Sequence, residues 1–192
     1  MPALLEKTTD LAQYFELENI SEIRHEFVDG QLLAMAGETL LHDDIELNIV
    51  EALRPVARAK QCRLHATGIQ TQVRATRYRY PDIVISCEIP TNSRTLEHPC
   101  FIAEVQSDST AETDNGAKLE EYTKLPSLQR YAIISQKTQT VVLYKRNGAT
   151  WEVEVLQDNG KIDIPCLETV LSVEQIYAGL ELGSSNGLAF VR

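Results

Sequence analysis

Two short stretches carry an acid where a buried strand would carry hydrocarbon, and they restrict the fold more than any other feature. Residues 101–107 read FIAEVQS. Phe101, Ile102, Ala103 and Val105 have the character of a core strand, yet Glu104 sits in its middle and Gln106 follows two residues later. Residues two apart in a strand share a face. Glu104 and Gln106 therefore stand with Ile102, while Phe101, Ala103 and Val105 face the other way. An ionised carboxylate on a sheet face is costly unless water, a hydrogen-bond partner or a metal meets it. Asp82 opens a second apolar run, DIVIS, directly after Pro81. The loop PTNSRTLEHP (90–99) is turn-rich and lets these two strands pair as neighbours, which brings the carboxylates together. Two carboxylates so placed raise each other's pKa unless a cation lies between them. Oxygen ligands of this kind suit Mg²⁺ or Mn²⁺, with water and a substrate phosphate completing the shell. The competing reading is that Asp82 caps a strand end and Glu104 pairs with a nearby Arg or Lys.

The surrounding pattern supplies a frame for these strands. Residues 9–19 have helical spacing of Leu11, Tyr14, Phe15 and Leu17. HEFVDGQLLAMAG (25–37) reads as a hairpin turning at Asp29-Gly30. From Thr39 to Lys60 apolar residues recur at three and four, which predicts one long amphipathic helix, with Pro55 as a point of kinking or shortening. CRLHATG, IQTQVRA and RYPDIVISCE then read as strands. After residue 106, Ser109-Thr110-Ala111-Glu112 matches a capping box and predicts a helix to about Leu125. RYAIIS, TVVLYKR and TWEVEVL are three further strands, the last two joined through Asn147-Gly148. Residues 171–180 predict a short closing helix, and the last residues a tail or docked extension. No repeat, low-complexity block or linker divides the chain. The expectation is one α/β domain over residues 1–192, a mixed sheet flanked by helices, with its core at about 25–180, an N-terminal helix at 9–19 and a tail at 181–192.

The helix after FIAEVQS carries Lys118, which shares a face with Tyr122 and Leu125 at i, i+4 and i+7. Folded back on the sheet, that helix brings the ammonium toward the acids. The alternative is a surface ion pair with Asp114 at i−4. Arg77 and Arg79, two apart, point the same way and are suited to a phosphate backbone, together with Arg74 nearby. Equally, they suit a solvated hairpin edge.

Composition narrows the function classes. The 192 residues hold 43% hydrophobic and 24% charged residues, ordinary for a soluble globular protein. A net charge of −10 opposes indiscriminate binding to nucleic acid or anionic membranes, though a local basic patch would suffice for an enzyme. No apolar stretch approaches the ~18–20 residues of a membrane helix, and the N-terminus lacks a signal-peptide pattern. A cytoplasmic location is the expectation. Four cysteines (62, 87, 100, 166) are widely scattered without a CxxC pair. That spacing argues against a zinc site or disulfide framework and predicts four buried, unpaired thiols.

Taken together, Pro81-Asp82, Glu104-Val105-Gln106 and Lys118 resemble the PD-(D/E)XK nuclease superfamily. More closely, the chain is similar to a bacterial branch of restriction-endonuclease-like proteins grouped as a domain of unknown function. The resemblance runs from about His25 to Leu180 through HEFVDGQLLAM, His42, RYPDIVI, FIAEVQS, DNGAKLEEYTKLPSLQRYAII and a strand pair ending in LYKR. It implies a restriction-endonuclease-like fold and a metal-dependent endonuclease of nucleic acid, DNA above all. Asp82 and Glu104 would ligate Mg (or Mn). The superfamily places its lysine two residues after the glutamate, where this chain has Gln106. In the similar branch that lysine has moved to the following helix, where Lys118 lies. Glu26 matches a further acid of the branch and would add a ligand or a water contact. His42 is read as a structural residue at a helix start. Cutting both strands of a duplex favours a homodimer, for which YKRNGATWEVEV offers an exposed edge. The other class of function is a non-catalytic interaction or regulatory module on a decayed site, toward which Gln106 and the net charge lean. A metal-dependent hydrolase of small phosphate esters fits the acids but leaves the arginines unused.

Overall fold

A capping box starts the first helix: Asp10 accepts the Gln13 N–H at 2.8 Å and Gln13 accepts the Asp10 N–H in return. The computed structural model of the chain describes residues 4–5, 9–35, 37, 39–66, 68–91, 94–106 and 114–182. After a two-residue strand β1 (Leu4–Leu5) comes α1 (Leu11–Ile20), then the hairpin β2 (His25–Val28) and β3 (Gln31–Ala34). Asp29 and Gly30 form its turn with φ of 49° and 92°, a left-handed pair that Asp-Gly adopts readily. The long helix α2 (Leu40–Ala59) runs unbroken through the exposed Pro55, capped by the Thr39 hydroxyl. Its buried face carries His42, Ile45, Glu46, Ile49, Leu53 and Ala57.

The strands β4 (Arg63–Ala66), β5 (Gln70–Arg74), β6 (Arg77–Arg79), β7 (Ile83–Ser86), β8 (Thr95–Leu96) and β9 (Phe101–Gln106) follow. A π-helical turn, Asp114–Lys118, leads into α3 (Leu119–Tyr122). Then come β10 (Arg130–Ser135), β11 (Thr140–Asn147), β12 (Thr150–Gln157), the hairpin β13 (Lys161–Ile164) and β14 (Thr169–Ser172), and α4 (Val173–Ile176).

Two six-stranded mixed sheets result, β1-β3-β2-β6-β5-β8 and β12-β11-β10-β9-β7-β4. The mixed sheet flanked by helices is as expected, and the partition into two sheets is new. Tyr80-Pro81 is the crossing point, because the chain leaves β6 of the first sheet and enters β7 of the second. One face of the second sheet packs Ile83, Ile85, Phe101, Ala103 and Val105 against α2, the C-terminal hairpin and α4. Its other face packs Val84, Ile102, Tyr131 and Ile133 against Tyr122 and Leu125. A smaller cluster of Tyr14, Phe27, Leu32 and Tyr78 holds α1 to the first sheet. There the Tyr80 hydroxyl donates to Glu18 at 2.7 Å, and burial, helped by that bond, pushes its pKa up to about 12.

Several expectations are revised. The 90–99 loop contains β8, which pairs with β5 in parallel. The turn joining β11 and β12 is Gly148-Ala149, one residue later than read, with Gly148 at φ 60°. The closing helix is only four residues long because Thr169–Ser172 pairs with Lys161–Ile164. The capping box at 109–112 and the tail at 183–192 lie outside the described residues. The four thiols are not unpaired: Cys62 bonds Cys87 and Cys100 bonds Cys166. Chain separations of 25 and 66 residues gave no hint of this, because the pairs meet only through strand pairing and the docking of the C-terminal hairpin.

Candidate active site

β7 and β9 pair antiparallel, with Ile83 opposite Ala103 and Val84 opposite Ile102. Asp82 directly precedes β7, beside the Ala103–Val105 part of β9. Asp82 and Glu104 are 8% and 1% exposed. Asp82 Oδ2 accepts the Val105 N–H at 2.6 Å and lies 3.3 Å from His42 Nε2. The same imidazole nitrogen is 3.0 Å from Glu46 Oε1, one helical turn along α2.

Glu104 is gripped from the helix that follows its own strand. Lys118 Nζ lies 3.0 Å from Oε2, and the Tyr122 hydroxyl donates to Oε1 at 2.9 Å. Burial, reinforced by the Glu104 charge, raises the Tyr122 pKa well above the ordinary tyrosine value, so the hydroxyl keeps its proton and remains a donor. Lys118 is 7% exposed, so its ammonium is turned inward to Glu104 rather than lying at the surface. It also stands 3.9 Å from Glu26 Oε1.

Glu26 projects from β2 of the first sheet and is held by Arg79 Nη1 at 2.7 Å and the Tyr80 N–H at 3.4 Å. Arg79 turns its other donors to both oxygens of Glu121, each at 2.8 Å. Burial opposes its charge, but the hydrogen bonds it donates to Glu121 and the charges of Glu26 and Glu121 outweigh it and raise its pKa. Arg77 Nη1 reaches Glu121 as well, at 2.6 Å, and its remaining donors hold Asp29. Arg77 and Arg79 thus do point the same way, and what they meet is the Glu121 carboxylate. Gln106 closes β9, half-buried, two residues beyond Glu104, and its carbonyl accepts from Gln136 at 3.3 Å.

Strand and helix thereby bring Glu26, Glu104 and Lys118 together, while Asp82 meets His42 and, beside the same imidazole nitrogen, Glu46. Glu46 and Glu121 were not read from the sequence. Glu46 had a signal, an acid on the apolar face of α2 one turn from His42. Glu121 had only its place beside Tyr122.

Among the described residues, Glu26, Glu104 and Glu121 meet Arg79 and Lys118, with Arg77 at the rim, and Asp82 and Glu46 meet His42. His42, Glu46 and Asp82 place one donor atom each within 4.8 Å of one another. Buried carboxylate oxygens gathered beside an imidazole nitrogen are donors that suit a divalent metal ion. A surface groove of about 690 Å³ lined by Gln72, Arg74, Glu97, His98, Leu125 and Ser127 includes none of these acids.

Residues 11–174 match the model of the Uma2 family, described as "Putative restriction endonuclease". Two uncharacterized proteins of Synechocystis sp. are similar. One is 27% identical over 172 residues, covering 88% of this chain and 90% of its own length. The other is 26% identical over 164 residues, covering 82% and 93%. Among solved structures, "a putative nuclease belonging to DUF820" from Anabaena variabilis superposes with a TM-score of 0.72 at 18% identity, over 88% of this chain and 97% of that one. That likeness is one of fold.

Proposed function

The chain belongs to the Uma2 restriction-endonuclease family, and from that premise we propose that it is a metal-dependent endonuclease hydrolysing phosphodiester bonds in DNA. The observation that carries this reading is Lys118, whose buried ammonium lies 3.0 Å from Glu104, the carboxylate set inside the strand β9. A decayed site has little reason to keep a lysine buried against a carboxylate.

In this reading Asp82 and Glu104 hold Mg²⁺ (or Mn²⁺), with Glu46 beside Asp82 across His42 and Glu26 beside Lys118. The ion, when bound, supplies a Lewis acid for the phosphodiester and a lowered pKa for water. The protein's own groups do the rest. Tyr122 and the Val105 N–H fix the orientation of Glu104 and Asp82, so that their oxygens are preorganised. Lys118 orients the attacking water and offsets negative charge growing on the phosphorus oxygens. Gln106, an amide with donor and acceptor but no charge, assists in placing that water. Arg79 holds Glu26 rather than the substrate, and Arg77 at the rim is the more exposed of the two. The reading takes residues 1–192 as one domain, because the network joins β2 and β6 of one sheet to β9 of the other. No described helix is long and apolar enough to cross a membrane.

The test is cleavage of supercoiled plasmid with Mg²⁺ or Mn²⁺. Wild type is expected to cut, Asp82→Ala to lose all activity, and Lys118→Ala to lose on the order of 10²–10³-fold. Cleavage surviving Asp82→Ala would refute the site. DNA binding without cleavage by any metal would favour the non-catalytic module instead, the reading to which Gln106 lends weight.

A further inference from the structure

All four cysteines of the chain meet at one place. Cys62 precedes β4, Cys87 follows β7, Cys100 precedes β9, and Cys166 lies in the turn between β13 and β14. Extending the β4–β7 register sets Cys62 opposite Cys87, since Arg63 pairs with Ser86. The sulfurs of Cys87, Cys100 and Cys166 all lie within 4.8 Å of one another, across the two bridges. The Cys62 and Cys87 sulfurs lie 3.9 and 3.7 Å from the Cys166 carbonyl oxygen. Two independent disulfides have no reason to touch, whereas four ligands of one ion must.

From this convergence we propose that the reduced protein binds one zinc ion through Cys62, Cys87, Cys100 and Cys166, as a closed structural site. Tetrahedral zinc with ~2.3 Å bonds sets its sulfurs roughly 3.8 Å apart, within the range over which three of these already gather. Four thiolates from four segments leave no open position, which is the pattern of a structural rather than a catalytic centre. The site ties the C-terminal hairpin to the ends of three strands of the second sheet. Asp82 and Cys87 stand at opposite ends of β7, five residues and roughly 16 Å apart, so the zinc is separate from the proposed catalytic ion.

The oxidised and metal-bound forms are linked by a balanced exchange. Each bridge accepts two electrons and two protons from a dithiol reductant, which itself closes to a disulfide. The four thiols then release four protons as zinc binds the thiolates. The two bridges and the zinc centre are thus alternative states of the same four side chains.

The experiment needs no variant to begin. Full-length protein purified under reducing conditions without chelator is analysed for zinc by plasma mass spectrometry and for thiols with a chromogenic disulfide. About one zinc per chain is expected, with four thiols becoming reactive as zinc is released. Cobalt substituted for zinc should give thiolate charge-transfer bands in the near ultraviolet and intense visible bands of a tetrahedral site. Zinc well below one per chain with four freely reactive thiols, or two bridges persisting under the same reductant, would overturn the proposal. Cys100→Ser and Cys166→Ser should each lose the cobalt spectrum. Asp82→Ala should keep it, and loss there would place the ion at the carboxylates instead.

Discussion

Arg79 is the largest of the fully buried side chains among the described residues, 2% exposed, with its guanidinium between Glu26 and Glu121. Removing it strands two carboxylates away from water, so Arg79→Ala is expected to cost about 3–5 kcal/mol in urea unfolding. Arg79→Lys should recover only part, since an ammonium cannot span both acids with a planar fork. A loss under 1 kcal/mol for Arg79→Ala would mean that water reaches this pocket. Period-two alternation was enough to put Arg77 and Arg79 on one face. It could not say that a glutamate from α3 waits there, because that contact joins residues 42 apart in the chain. Glu104 itself was recognisable as anomalous, since hydrocarbon surrounds it in sequence. Helical spacing put Lys118 on one face with Tyr122 and Leu125 but left open whether the lysine met the acids or Asp114. That Tyr122 also bonds Glu104 is seen only in the fold.

Among the elements, the C-terminal hairpin is attached by more than its apolar face. Arg130 at the start of β10 bonds Asp163 of β13, with Nε to Oδ1 at 3.0 Å. That hydrogen bond holds the Asp163 carboxyl below its ordinary value against a smaller opposing effect of burial. A depressed carboxylate stabilises the fold above its unfolded pKa and loses that contribution as pH falls through the folded one. The profile of urea midpoints against pH should therefore steepen below about pH 4, and Asp163→Asn should flatten that part. The carboxylate is half exposed, so the change at neutral pH is expected to stay within about 1 kcal/mol. An unchanged acid limb in Asp163→Asn would exclude this pair as its source. The hairpin was missed although KIDI alternates well, because the helical pattern of 171–180 overlaps the strand that pairs with it. The helix α2 held through Pro55 because tertiary burial of Ile45, Ile49, Leu53 and Ala57 outweighs one missing hydrogen bond on the exposed side.

For the molecule as a whole, β12 is the edge strand of the second sheet among the described residues, and its Val153 and Val155 are each 62% exposed. Unprotected apolar edges invite pairing with a second chain. A homodimer at this edge would give a duplex-cutting nuclease two sites. Sedimentation velocity is expected to show a concentration-dependent dimer that Val153→Lys with Val155→Lys returns to monomer. A monomer at all concentrations would leave the double-strand geometry to some other arrangement. The net charge of −10 argues that any DNA contact is local and salt-sensitive.

Local chemistry determined much from the chain alone: the Asp-Gly hairpin, the long amphipathic helix, the strands around Asp82 and Glu104, and the lysine on a buried helix face. Each of these depends on neighbours within a few residues, where periodicity and turn preference carry the information. Two features were settled only by the folded chain. One is the network binding Glu26, Arg79 and Glu121 to the acids, which required two sheets to meet. The other is the gathering of four scattered cysteines, which no spacing rule could register because strand register and hairpin docking, both long-range, place their sulfurs.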